Sequence, residues 1–164
     1  MITQRPNITV NAAFLQEIKD NNLQLDELLE LLNTLCSVND KTFLEPKRFS
    51  ELIHELRDLL AMHFSLEDAL GYFIGPSNII PVLSKEATRL KSQHEELYLE
   101  VSAIAENADT LLASEHSENV STNLIRRFRS FYEDLRKHES EEYDLILIAY
   151  YEEPCFNAAT HLVH

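Results

Sequence analysis

Glycine is nearly absent from this 164-residue chain, with two copies, and cysteine is as rare. No apolar run approaches the roughly 20 residues that a membrane helix needs. So little glycine, beside so much Leu, Glu and Lys, argues for helix throughout. Cys36 and Cys155 share no motif spacing. They therefore predict neither a disulfide framework nor a thiolate metal site, and a reducing, cytoplasmic setting is the simple expectation. The N-terminal MITQRPNITV has no apolar core of signal-peptide length. Basic side chains are scarce too: 14 Lys and Arg against 28 Asp and Glu, for a net charge of −14. That balance argues against nucleic acid, which needs clustered cations, and against anionic membrane surfaces. The acidity reads as a solubility device. What is present, 45% apolar and 26% charged residues, is the composition of one ordinary globular domain with a real core.

Taken in order, residues 1–10 read as a loose lead-in, with Asn11 as a helix N-cap. Leu15, Ile18, Asn22, Leu25, Leu28, Leu32 and Leu35 then step by three and four, an amphipathic helix with one polar residue in its inward stripe. Pro46 suits the first turn of a second helix, whose stripe is Leu52, Leu56, Leu59, His63, Leu66, Leu70 and Phe73 and whose terminator is Gly75-Pro76. Glu67 lies one turn above His63. Pro81 opens a third helix, with Leu83, Ala87, Leu90, His94, Leu97, Val101, Ile104, Ala108 and Leu111 inward. After a polar break, SEHSENVS, a fourth carries Leu124, Phe128, Phe131, Leu135, His138, Glu142, Leu145 and Ala149. Four helices of about 25 to 35 residues with short links predict an all-α, up-down-up-down antiparallel four-helix bundle. It forms a single domain over 1–164, with its core at about 11–153 and a short tail after Pro154.

Each stripe is interrupted by a polar residue, and the interruptions come out level. At about 1.5 Å per residue, Asn22 and His63 lie roughly 21 and 24 Å from the first turn. His63 and His94 lie roughly 15 and 20 Å from the second, and His94 and His138 each about 28 Å from the third. One polar layer near the middle of the bundle is predicted. A buried layer of three imidazoles and two carboxylates must find partners or be very costly. Imidazole nitrogen plus carboxylate oxygen suits iron first, with zinc or manganese as alternatives, and a glutamate can bridge two ions.

These motifs resemble the hemerythrin-like (HHE cation-binding) family. Its four-helix bundle carries a histidine on each helix and His-x-x-x-Glu on the second and fourth. His63-Phe-Ser-Leu-Glu67 and His138-Glu-Ser-Glu-Glu142 match those two motifs, and His94 in Gln93-His94-Glu95-Glu96-Leu97 matches the third-helix ligand. The resemblance runs from about Asn11 to Tyr151. It implies a metal site of His63, Glu67, His94, His138 and Glu142, holding one or two irons. Two positions depart from the pattern: Asn22 stands where the first helix should carry histidine, and Leu90 stands where oxygen carriers place a second third-helix histidine. They imply an incomplete or asymmetric di-iron site.

The remaining candidates read as structural. Glu51-Leu-Ile-His54 has the Glu-x-x-His form of ferritin-like bundles but occurs once, off the apolar stripe, so His54 is read as surface. His116 falls in a loop, His161 and His164 in the tail, and Tyr98 reads as a core tyrosine, with a role beside or on the metal as its alternative. The function expected is a cytoplasmic non-haem iron protein that senses or handles O2, NO or iron without turnover. The competing classes are a di-iron oxidase or peroxidase, and a metal-free helical interaction module on the same fold.

Overall fold

Proline opens two of the helices, at the first-turn positions where a missing N–H leaves nothing unbonded. The computed structural model describes residues 9–10, 12–37, 45–74, 81–114 and 118–159. The helices are α1 (Ala12–Ser37), α2 (Pro46–Leu70), α3 (Pro81–Ala113) and α4 (Glu118–Ala159). Each packs on the next, and α4 returns to α1, which closes the expected four-helix bundle. Asn11, His116, His161 and His164 lie outside the described residues.

Three boundaries differ from expectation. The lead-in is not wholly loose: β1 (Thr9–Val10) pairs antiparallel with β2 (Phe73–Ile74), Thr9 opposite Ile74 and Val10 opposite Phe73. Two residues per strand are too few to leave a periodic signal. Next, α2 stops at Leu70, ahead of Gly75-Pro76, because an earlier glycine takes the end. Gly71, at φ 69° and ψ 161°, donates its N–H to the Glu67 carbonyl at 2.8 Å. Finally, α4 continues through Pro154 to Ala159, so part of the expected tail is helix. Proline removes one hydrogen bond but need not end a helix that propagates on both sides of it.

The Gly71 backbone is a region that side-chain-bearing residues avoid. A methyl built there meets no atom within 4 Å, so the cost of Gly71→Ala is conformational and not steric. The variant should lose about 1–3 kcal/mol in urea unfolding. An unchanged midpoint would show that the turn relaxes freely.

The buried face of α2 is rotated from the expected stripe. Phe49, Leu52, Ile53, Leu56, Leu60, His63, Phe64 and Glu67 are buried, whereas Leu59 and Leu66 are half-buried and Leu70 is exposed. Leucines occupy so much of this helix that pattern alone does not choose the face; contact with both α1 and α3 does. The apolar core divides in two. The larger cluster draws on all four helices, from Leu25 through Phe49, Leu60 and Val101 to Leu135, with Phe49 edge-on to Phe128 at 6.0 Å. The smaller comprises Tyr72, Leu83, Leu90 and Leu145. His63, Glu67, His94, His138 and Glu142 occur in the sequence between the two sets. On α2 the polar layer lies near the helix end, Glu67 being less than one turn from Leu70, whereas His138 falls about midway along α4.

The α1–α4 seam is polar. Arg136 pairs with Asp26 and Glu139 and lies over the Tyr132 ring at 5.3 Å, while the Tyr132 hydroxyl donates to Glu30 at 2.9 Å. Arg129 donates to the Cys36 carbonyl at 2.8 Å. Burial pushes the Cys36 thiol up to about 12, with Arg129 opposing weakly, so this cysteine is an apolar core residue and not a ligand.

Candidate metal centre

His63 and Glu67 sit one turn apart on α2, as His138 and Glu142 do on α4, and α3 supplies His94 between them. All five residues are buried, each 5% exposed or less. No histidine ring of the three faces solvent. Nε2 of His63 lies 2.6 Å from Glu67 Oε1, and Nε2 of His94 lies 3.1 Å from Glu67 Oε2. Nε2 of His94 and His138 approach Glu142 Oε1 at 3.5 and 3.1 Å. One ligand atom from each of Glu67, His94, His138 and Glu142 falls within 4.8 Å of the others. His63 stands outside that foursome and meets it through Glu67.

Several of these close approaches are not hydrogen bonds. Neither Glu67 oxygen nor His138 Nε2 has a hydrogen-bond partner, although all are fully buried. Buried polar atoms are normally satisfied, and leaving them bare costs about 1–3 kcal/mol each or more for a charge. Unpartnered carboxylate oxygens and an imidazole nitrogen this close to two further ligand atoms are what a cation would satisfy. The donor set, imidazole nitrogen and carboxylate oxygen without thiolate, suits iron, zinc or manganese. On these observations the residues fit a metal ion.

The charge balance leads to the same conclusion. Burial pushes Glu142 up, but the adjoining His138 and His94 imidazoles and the Tyr72 hydroxyl outweigh it and hold the carboxyl down to about 2. Burial alone would lower His94; Glu142 and Glu67 overcome it and raise the imidazole to about 10. His63 is likewise raised, burial being outweighed by Glu67 and the more distant Glu142 and Glu139. Buried carboxylates demand positive charge, and imidazole protons supply it where no metal does. Metal uptake at such a site releases protons.

Phe64 organises the rings. It stacks on His94 at 4.3 Å with planes 8° apart and meets His138 edge-on at 6.0 Å. At the small-cluster side, the Tyr72 hydroxyl donates to Glu142 Oε1 at 2.5 Å. Burial first, then the Glu142 charge, push that phenol well above its ordinary range, so it stays a donor. Tyr72→Phe should cost about 1.5–3 kcal/mol in urea unfolding of the metal-free protein, the usual worth of a hydrogen bond to a charge. A loss under 0.5 kcal/mol would show that the Glu142 oxygen is equally well served without it.

Sequence reasoning assigned no role to Phe64 or Tyr72. Phe64 is signalled only by the rotated α2 face, and Tyr72 follows a helix end that periodicity misplaces. Tyr98 is not a core residue: it is 38% exposed, while Leu97 and Val101 take the interior. It stands four residues past His94, on the far side of that imidazole from Leu97, and so swings out of the bundle. His54 is partly exposed and away from the cluster. Its Nε2 meets both Asp109 oxygens at 2.9 and 3.0 Å, and Ser50 donates to the same carboxylate at 2.8 Å. Leu90, fully buried, packs in the small cluster and adds no ligand. The side chain of Asn22 lies outside the described residues.

Four antiparallel helices around a buried group of three imidazoles and two carboxylates define a bundle protein with a candidate cation centre. The chain belongs to the Hemerythrin HHE cation binding domain family, whose model matches residues 14–150. No curated protein and no solved structure matches it. No helix among the described residues is long and apolar enough to cross a membrane.

Proposed function

We propose that this is a hemerythrin-type non-haem iron protein that senses or handles O2, NO or iron. The observation that carries the reading is the bare, buried set of Glu67 oxygens and His138 Nε2 facing His63, His94 and Glu142. His63, Glu67, His94, His138 and Glu142 would hold the metal. Iron in such a set supplies a redox-active centre able to take a diatomic ligand. The protein part of the task is exclusion and orientation: Phe64 shields the rings from water, and Tyr72 fixes the Glu142 carboxylate. The arrangement supports an asymmetric centre. Glu67, His94, His138 and Glu142 form one compact group, whereas His63 shares only Glu67. A cavity of about 560 Å³ between α3 and α4 reaches the outer edge of His138, past Gln93, Leu97 and Phe131, and gives small ligands a way near the centre.

The test is metal content. Protein loaded anaerobically with ferrous iron and desalted should retain at least one iron per chain by elemental analysis, and its visible spectrum should change on O2 or NO exposure. Retained iron without a response to either gas would leave iron handling as the role. Failure to retain iron, zinc or manganese would overturn the reading in favour of a metal-free module.

A further inference from the structure

Two of the three imidazoles are gripped from behind. Nδ1 of His94 lies 2.9 Å from Asp68 Oδ1, and Nδ1 of His138 lies 2.8 Å from Gln93 Oε1. An ionised carboxylate and an amide oxygen can only accept, so each Nδ1 carries the proton. That leaves each Nε2, the nitrogen facing the Glu67–Glu142 group, as the one available to a metal. His63 differs: among the described residues nothing accepts a hydrogen bond from its outer nitrogen, and its ring is held by packing near Phe64 and by Glu67.

The anchors follow a pattern along the chain. Asp68 directly follows Glu67 on α2 and holds the histidine of α3. Gln93 directly precedes His94 on α3 and holds the histidine of α4. Each helix thus presents one inward group and, at the adjacent residue about 100° round, an anchor for its neighbour's ring. The two anchors are chemically unequal. Asp68 is a charged acceptor, and hydrogen bonds to charged groups are about twice as strong as neutral ones. It pulls on the His94 proton and makes Nε2 of that ring the more electron-rich donor. Gln93, a neutral amide, fixes orientation with little such push.

We propose that Asp68 and Gln93 are the positioning residues of this centre, and that their unequal charge makes His94 its strongest nitrogen donor. The inference rests on the metal-binding reading above. It assigns graded ligand strength to residues that touch no metal themselves, and it makes the α2–α3 side of the cluster the side that grips hardest.

The experiment uses the full chain loaded with Zn²⁺, with affinity measured by competition against a chromophoric chelator. Asp68→Asn keeps the shape and a hydrogen-bonding oxygen but removes the charge, and should weaken Zn²⁺ binding about 10-fold. Asp68→Ala should weaken it by about 10- to 100-fold. Gln93→Leu should fall about 10-fold, and Gln93→Glu, which gives His138 a charged acceptor, should reverse the sign and tighten binding. Proton NMR of the zinc form supplies a readout that a merely structural role would not move. Two slowly exchanging imidazole Nδ1–H resonances should appear downfield. Asp68→Asn should shift the His94 signal upfield and leave the His138 signal in place, and Gln93→Leu should remove the His138 signal alone. Wild type that takes up no Zn²⁺, iron or manganese overturns the metal reading and this inference with it. Wild type that binds while Asp68→Asn and Gln93→Leu stay within about twofold, or while Gln93→Glu weakens binding, overturns this inference alone. Shifts spread over both signals in either variant would do the same, since they would mark general loosening of the bundle.

Discussion

His138→Ala is expected to cut bound metal tenfold or more, with His63→Ala following by at least that factor. Loss of a group that merely orients a ligand typically costs 10- to 100-fold in affinity, so loss of a ligand should cost no less. His138 is the more telling position. Its ring is 2% exposed, its Nε2 has no hydrogen-bond partner, and that atom lies 3.1 Å from Glu142. Truncation removes a nitrogen from the compact group and leaves the Glu142 charge with one neighbour fewer. His63 touches the group through Glu67 alone, and its removal takes away the imidazole nitrogen 2.6 Å from that carboxylate. Elemental analysis after identical loading and desalting is the measurement, with helical circular dichroism as the control for folding. Unchanged metal in both variants would remove the histidines from the site.

Phe64→Ala should show the largest loss of stability, about 3–5 kcal/mol in urea unfolding, the range for emptying a buried aromatic position. The side chain is 5% exposed and lies between the large apolar cluster and the imidazoles. Its removal opens a cavity beside charged groups, where entering water would weaken every interaction of the cluster. Phe64→Leu separates the two contributions. It keeps most of the apolar burial and loses the 8° stack on His94, worth about 0.5–1.5 kcal/mol beyond area. An alanine variant that loses less than 1 kcal/mol would mean that the neighbouring side chains collapse into the space, and that Phe64 does not hold the rings.

Much of the molecule is legible in the sequence, for a physical reason. Scarce glycine and a period of three and four specify helix locally, and prolines at 46 and 81 mark starts that need no long-range information. The inward histidines were legible because a polar residue in an otherwise apolar stripe is visible against its background. His63, His94, His138 and the two glutamates one turn on needed only the helical period to be singled out, and all five are buried together.

The tertiary structure decided what periodicity leaves degenerate. Leucines nearly all round α2 allow several faces, and packing against both α1 and α3 chose the one that buries Phe64 and Glu67 and exposes Leu70. Gly71 outcompeted Gly75 as the helix end, and that places Tyr72 over Glu142, a contact between residues 70 positions apart that no local pattern encodes. Asp68 and Gln93 lie beside inward residues in sequence and look like surface polar positions. Only the approach of a neighbouring helix turns each into the anchor of that helix's histidine. Composition and period thus determined that this chain is a helical bundle with histidines and carboxylates inside, because those are properties of single helices. Which atoms face one another, which are anchored and which are left bare depends on how four helices are rotated against each other, and that is fixed only when they pack.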